Sequence, residues 1–155
     1  RPGDVAEVSP VSLSVADALA RRIAGVGGAA LVIDYGHAAS AAGDSLQAVK
    51  AHAYADVLAT LGEADLTAHV DFAALARAVE QAGASAHGPV TQAAFLTTLG
   101  VAQRAESLCA GASAVQARDV RAAMARLIGA GEMGTLFKVA AWTARGAPVP
   151  PGFET

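Results

Sequence analysis

The stretch Ala29-Ala30-Leu31-Val32-Ile33-Asp34-Tyr35-Gly36-His37 decides the fold. Its first five residues are aliphatic without interruption, and the run then stops at ionisable and glycine positions. An unbroken aliphatic run suits a central strand covered on both faces. Polar groups delivered at the carboxyl end of such a strand stand where open α/β sheets hold their ligands. A strand over 29–34 is therefore expected, with Asp34, Tyr35 and His37 at a site.

Outward from this run, the local signals alternate. Ser9-Pro10 provides an N-cap followed by proline at the first helical position, and Val15, Leu19, Arg22 and Ile23 recur at helical spacing up to Gly25. A helix over 10–24 is expected. Residues 36–62 lack clear periodicity and read as a long ordered loop. From Asp65 to Phe72 the chain alternates strictly, with Asp65, Thr67, His69 and Asp71 on one side if extended. Phe72, Leu75, Ala76 and Val79 then follow helical spacing, with Asp71 as N-cap and Gly83 as stop, giving a helix over 72–82. A short strand over 84–87 leads to Gly88-Pro89. Helices are expected over 91–99, 102–109 and from the Ser113/Gln116 capping box to Gly129, where Val120, Met124, Leu127 and Ile128 form an apolar stripe. Residues 135–143 read as a last strand. Three strands with helices between them make an α/β architecture. Three are few for a self-sufficient sheet, so neighbours of the central strand are expected from residues outside this sequence.

Composition narrows the function classes. A chain of 155 residues, 54% hydrophobic and 16% charged, is one domain with a buried core and not a disordered segment. A net charge of −3 and a pI near 5.7 exclude nucleic acid as the main partner. The longest uncharged apolar stretch, between Arg22 and Asp34, falls short of the about 20 residues a bilayer needs, so no membrane span is expected and the chain reads as soluble. Cys109 is the single cysteine, which rules out an intrachain disulfide and suits a cytoplasmic setting. The sequence opens Arg-Pro-Gly without methionine or a signal-like segment, the expected look of a truncated piece.

Gly129-Ala-Gly131-Glu-Met-Gly134 matches the dinucleotide fingerprint but lies after a helix and before a strand, the reverse of the order that points helix amides at a pyrophosphate. Gly25, Gly27 and Gly28 fail for the same reason. His37, His52, His69 and His87 with Asp34, Asp65 and Asp71 match no compact metal pattern, so no metal is expected. No Gly-x-Ser-x-Gly elbow is present. Asp34 has two readings: an acceptor for amides at the strand end, or a group that orients a cationic substrate and moves protons. Tyr35 suits a pocket wall, His37 and His69 suit pocket or hydrogen-bonding roles, and Asp71 is first an N-cap.

The segments Ala30-Leu-Val-Ile-Asp34-Tyr35-Gly36-His37, Gly43-Asp44-Ser-Leu-Gln47-Ala-Val, and Gly62-Glu63-Ala-Asp65-Leu-Thr67-Ala-His69-Val-Asp71-Phe72 resemble the MidA-like methyltransferases. Further matches are Glu7-Val-Ser9-Pro10, Gly88-Pro-Val-Thr91-Gln92, Met133-Gly-Thr-Leu-Phe-Lys138-Val and the Pro-Pro-Gly-Phe153 tail, so the likeness runs over almost the whole chain. That family holds class I, Rossmann-like, S-adenosylmethionine-dependent enzymes, among them a mitochondrial complex I assembly protein arginine methyltransferase. The resemblance implies that this chain is the C-terminal portion of a single methyltransferase domain, with the cofactor-binding segments N-terminal to it. Residues 92–128 would be a helical insertion between the last two strands. For methyl transfer to protein arginine, side-chain chemistry, with no residue carried over from the family, points to Asp34, His37 and His69 as catalytic groups and to Tyr35, Asp65, Thr67, Asp71 and Gln92 against the substrate. The piece alone would be inactive, a protein would be the substrate, and the inserted helices offer a homodimer contact. The competing readings are a non-enzymatic interaction or assembly module with this fold, and a methyltransferase with a small-molecule acceptor.

Overall fold

The structure is a computed structural model that describes residues 3–51, 53–59 and 62–154. Helix α1 (Pro10–Val26) leads into strand β1 (Ala29–His37). Then come β2 (Gln47–Lys50), β3 (Ala53–Ala55), β4 (Asp65–Thr67) and β5 (Val70–Asp71). Helix α2 (Phe72–Gln81) precedes β6 (Ala84–Thr91). Helices α3 (Gln92–Thr98), α4 (Val101–Ala110), α5 (Ala114–Ile128) and the short α6 (Met133–Leu136) lie before the last strand, β7 (Phe137–Ala144).

The main sheet has the order β5-β1-β7-β6. Its three long strands are the three read from the sequence. β7 lies antiparallel between β1 and β6, and β5 adds two residues parallel to β1 at Gly36↔Val70 and His37↔Asp71. Gly36 permits this pairing: a Cβ there would stand 2.1 Å from the Val70 carbonyl oxygen. No backbone φ demands glycine at this position, only space.

One face of the sheet carries α1 and α2, whose Ala16, Ala20, Ile23, Leu75 and Val79 pack with Ala84 and Trp142. The opposite face holds Phe95 of α3 and Phe153 of the tail against Val139 and Ala141. That second layer stops short of β1. Leu31 and Ile33 stay 53% and 47% exposed, and Ala29–Tyr35 has no strand on its side away from β7 among the described residues. The expectation of a strand covered on both faces is thus corrected: β1 is covered on one face only.

Other elements also depart from the expected pattern. α1 runs on past Gly25 to Val26 and stops where Gly27 takes a φ of +79° and its N–H reaches Ile23 O. It buries Ala16 and Ala20, while Val15 and Leu19 are exposed, because small side chains let the helix approach α2 and the sheet closely. Residues 36–62 are not all loop: β2 pairs with β3 in a hairpin and with β4, making a separate sheet of order β3-β2-β4. The alternating segment 65–72 breaks at Ala68-His69, so β4 belongs to the small sheet and β5 to the large one. β6 extends past a bulge at Gly88-Pro89, a cis peptide, and reaches Thr91.

The caps behave as read. Ser9, Asp71 and Ser113 each accept a backbone N–H three residues on, and Gln116 completes the capping box with Ser113 N. The glycines of the fingerprint-like run are used in packing. A Cβ at Gly129 would meet Ala125 O at 2.6 Å, and one at Gly134 would meet Ile128 O at 2.3 Å. α5 precedes this run and β7 follows α6, so it opens no phosphate-binding helix.

Candidate functional site

Because β1 and β5 run parallel, their carboxyl ends deliver His37 and Asp71 side by side. Here opens a cavity of about 1180 Å³ lined by residues 6–9 and the N-terminal turn of α1, the loop 40–47, residues 68–71 and the first turns of α2. Its position matches the carboxyl-end rule for α/β sheets. His37 and His69, 32 positions apart in sequence, come together with ring centroids 4.8 Å apart and planes tilted by 54°. Tyr35 packs edge-on to His69 at 5.7 Å and to Phe137 at 5.6 Å but is itself outside the cavity lining.

His69 is held from three sides. Its backbone N–H donates to Ser45 Oγ at 2.9 Å. Its ring Nε2 faces the Gln47 side-chain amide nitrogen at 3.5 Å, and Tyr35 and His37 flank the ring. Its Nδ1 is buried and has no hydrogen-bond partner. Ser45 in turn donates both its N–H, at 2.9 Å, and its hydroxyl to the Glu7 carboxylate. Gly43 N–H to Val5 O at 2.9 Å fastens the same N-terminal segment along the loop.

The two Ser45 bonds hold the exposed Glu7 carboxyl below the ordinary carboxylate range, helped by the His37 charge. Asp71 is different. Burial pushes its pKa up, but the Ser40 hydroxyl, the Ala74 N–H at 2.8 Å and the nearby Arg77 charge outweigh that and leave it lowered. Arg77 also donates to Ser40 Oγ at 3.0 Å, so Ser40 bridges the cation and the carboxylate. Two carboxylates kept ionised and two imidazoles on one cavity can hold a cation and accept a proton.

The other expected residues fall elsewhere. Asp34 shares the sheet face of Ala30 and Val32, and its Oδ1 accepts the Tyr35 N–H at 2.8 Å, the first of its two readings. Asp65 and Thr67 lie on β4 in the small sheet, outside the cavity lining, because the chain turns between Thr67 and Val70. Gln92 is buried and donates to Leu127 O at 2.8 Å, tying α3 to α5. His87 bonds Thr143 Oγ1 across β6 and β7 at 2.8 Å, and His52 lies outside the described residues. Sequence reading passed over Glu7, Ser40, Ser45, Gln47 and Arg77. Glu7, Ser45 and Gln47 sit inside the segments that carried the family likeness, the one signal that could have flagged them.

A mixed sheet with its antiparallel last strand inside and a polar cavity at the carboxyl end of β1 defines a Rossmann-like α/β protein. Residues 1–90 match the family described as "Putative S-adenosyl-L-methionine-dependent methyltransferase", and the chain belongs to that family. It is 41% identical over 139 residues to the protein named protein arginine methyltransferase NDUFAF7, mitochondrial, of Xenopus tropicalis, a match covering 88% of this chain and 32% of that protein. The human protein of the same name is 42% identical over 105 residues, covering 68% and 23%. A crystal structure from Burkholderia thailandensis bound to S-adenosyl-homocysteine superposes with a TM-score of 0.76 at 31% identity, covering 90% of this chain and 38% of that one. The chain thus spans about a quarter to a third of the length of these curated relatives. Their mitochondrial names overturn the cytoplasmic setting expected from the lone Cys109. One thiol excludes an intrachain disulfide and says nothing finer about compartment.

No strand, glycine-rich turn and helix follow one another in the order that cradles a nucleotide among the described residues, and Gly129 and Gly134 are packed against backbone. These glycines therefore form no nucleotide-binding turn. No helix among them is long and apolar enough to cross a membrane.

Proposed function

We propose that the complete protein methylates a protein arginine and that this chain supplies the acceptor side of its cleft. The observation that carries the reading is the cavity where His37 and His69 meet the ionised Glu7 and Asp71, in a chain whose relatives are named protein arginine methyltransferases. A guanidinium is planar, protonated at neutral pH and offers five donors, so carboxylates hold it, and it sheds a proton when its nitrogen forms a new bond. Glu7 and Asp71 take the fork, and the His37/His69 pair takes the proton. Tyr35 supports the His69 ring edge-on and reaches the substrate only through it. Asp34 shapes the turn by holding the Tyr35 amide, and Gln92 anchors the helices over 92–128, which we assign as an insertion between β6 and β7. Asp65 and Thr67 would reach only a substrate that extends over the small sheet.

The methyl donor is bound, in this reading, by the part of the relatives' length that this chain does not span. The uncovered face at Leu31 and Ile33 and the unpaired edge of β1 support it. The isolated 155 residues are then inactive. Calorimetric titration of S-adenosylmethionine is expected to show binding to the complete protein and none to this chain. In the complete protein, His37→Ala should lower methyl transfer to an arginine peptide by about 10²–10⁴-fold. Unchanged transfer in that variant, or transfer by the 155 residues alone, refutes the proposal. The exposed Leu108 and Val115 on α4 and α5 are the surface proposed for self-association, which sedimentation of the complete protein reads.

A further inference from the structure

The two histidines of the cavity are not equivalent. His37 is exposed. His69 is clamped at its backbone by Ser45 and at its ring by Gln47, Tyr35 and His37, and one polar atom, Nδ1, is left buried without a partner. The Gln47 nitrogen facing Nε2 is an amide NH₂, which has protons to donate and no lone pair to offer. Nε2 must then be the acceptor of that long 3.5 Å bond, and in a neutral imidazole the proton resides on the other nitrogen. The buried, unsatisfied atom is therefore an N–H donor. A donor kept dry and unpaired is unfavourable in a folded chain and persists where a ligand completes it.

A guanidinium cannot complete it, because arginine has five donors and no acceptor. In a peptide the nearest acceptors are the main-chain carbonyls beside the target side chain. We infer that His69 is a substrate-reading residue whose Nδ1–H donates to a main-chain carbonyl of the acceptor peptide, and that Gln47 is the positioning residue that sets its tautomer. The inference rests on the arginine reading above and divides the pair: His37 is the group that accepts the released proton, and His69 recognises the peptide. It makes the site selective for arginine within a polypeptide over a free guanidine.

The test uses the complete protein and two singly charged probes, N-acetylarginine N-methylamide, which carries the flanking carbonyls, and n-butylguanidine, which carries the guanidinium alone. Imidazole ¹⁵N shifts of His69 should report Nδ1–H in the wild type and the reversed tautomer in Gln47→Glu, whose carboxylate accepts from Nε2–H. Gln47→Glu adds a charge that both guanidinium probes feel, so it should weaken the amide probe about tenfold relative to n-butylguanidine, and Gln47→Leu, which removes the tautomer lock without adding charge, should weaken the amide probe by a smaller factor in the same direction. A wild-type His69 protonated at Nε2 overturns the inference. So does an unchanged ratio of the two affinities in both variants, with n-butylguanidine still bound by the wild type. Failure of the wild type to bind either probe removes the arginine reading and this inference with it.

Discussion

Replacing Gly36 by alanine tests the contact on which the whole site depends. In most strand interiors this change helps, because alanine gives up less conformational freedom on folding, by roughly 0.5–1 kcal/mol. Here the new Cβ would stand 2.1 Å from Val70 O and 2.9 Å from both Val70 N and the Val70 carbonyl carbon, all of them backbone atoms. Relief needs β5 to retreat from β1 by about 1 Å or more to restore van der Waals separation. β5 is held to β1 through only two residue pairs, Gly36↔Val70 and His37↔Asp71. Losing ladder bonds at about 0.5–1.5 kcal/mol each gives a loss of about 1–3 kcal/mol, the same range as overpacking a tight site. The strand that retreats also carries Asp71 and follows His69, so acceptor binding should fall by about tenfold or more, beyond what the stability loss explains. Urea denaturation of the complete protein and binding of an arginine peptide measure the two effects. A Gly36→Ala protein as stable as wild type or more so, with unchanged binding, would refute the reasoning, for it would mean that β5 does not approach β1 this closely.

Asp71→Asn keeps a residue able to cap α2 but removes the charge. Because the native pKa of Asp71 is lowered, the stability it adds is fully present above the ordinary aspartate range and is lost as pH falls through the native value, so the wild type's advantage over the variant should shrink on acidification in denaturation curves taken from neutral pH downward. Phe72 is 1% exposed at the start of α2, and Phe72→Ala should cost about 3–5 kcal/mol in the same assay; a loss below 1 kcal/mol would contradict its place in the core. Ile33→Asp should be tolerated by the 155 residues but lower the melting temperature of the complete protein, because the face it occupies is covered there in our reading. Equal effects in both would count against that cover. Ser45→Ala removes the acceptor of the His69 N–H, so hydrogen exchange at that amide should quicken by about tenfold while amides within β7 keep their protection.

What could be read without coordinates was local. The caps at Ser9, Asp71 and Ser113 bond backbone groups three residues away, so residue type and spacing suffice to find them. The apolar run of β1 and the alternation of helices with strands were legible for the same reason, and the family likeness named the class. Periodicity misled where burial depends on a neighbour. Val15 and Leu19 look like the inner face of α1, yet the face that α2 and the sheet cover is the neighbouring one of Ala16, Ala20 and Ile23. The strand β2 escaped notice because its partners begin six and eighteen residues away, in β3 and β4, and nothing in Gln47–Lys50 announces them.

The assembly of the site lay on the far side of that divide. Asp34 and Asp65 are as ionisable as Asp71, but strand register and the turn after Thr67 direct only Asp71 to the cavity. The run ending in His37 pointed to the end of β1 at which the cavity opens, since a strand's direction follows from its own residues. That His69 meets His37, that Ser45 and Gln47 clamp it, and that one of its nitrogens is buried without a partner all arise from contacts 22 to 32 positions apart in sequence. Such contacts exist only once the chain has closed its sheet, and Gly36, by leaving room for β5, is the residue through which that closure reaches the site.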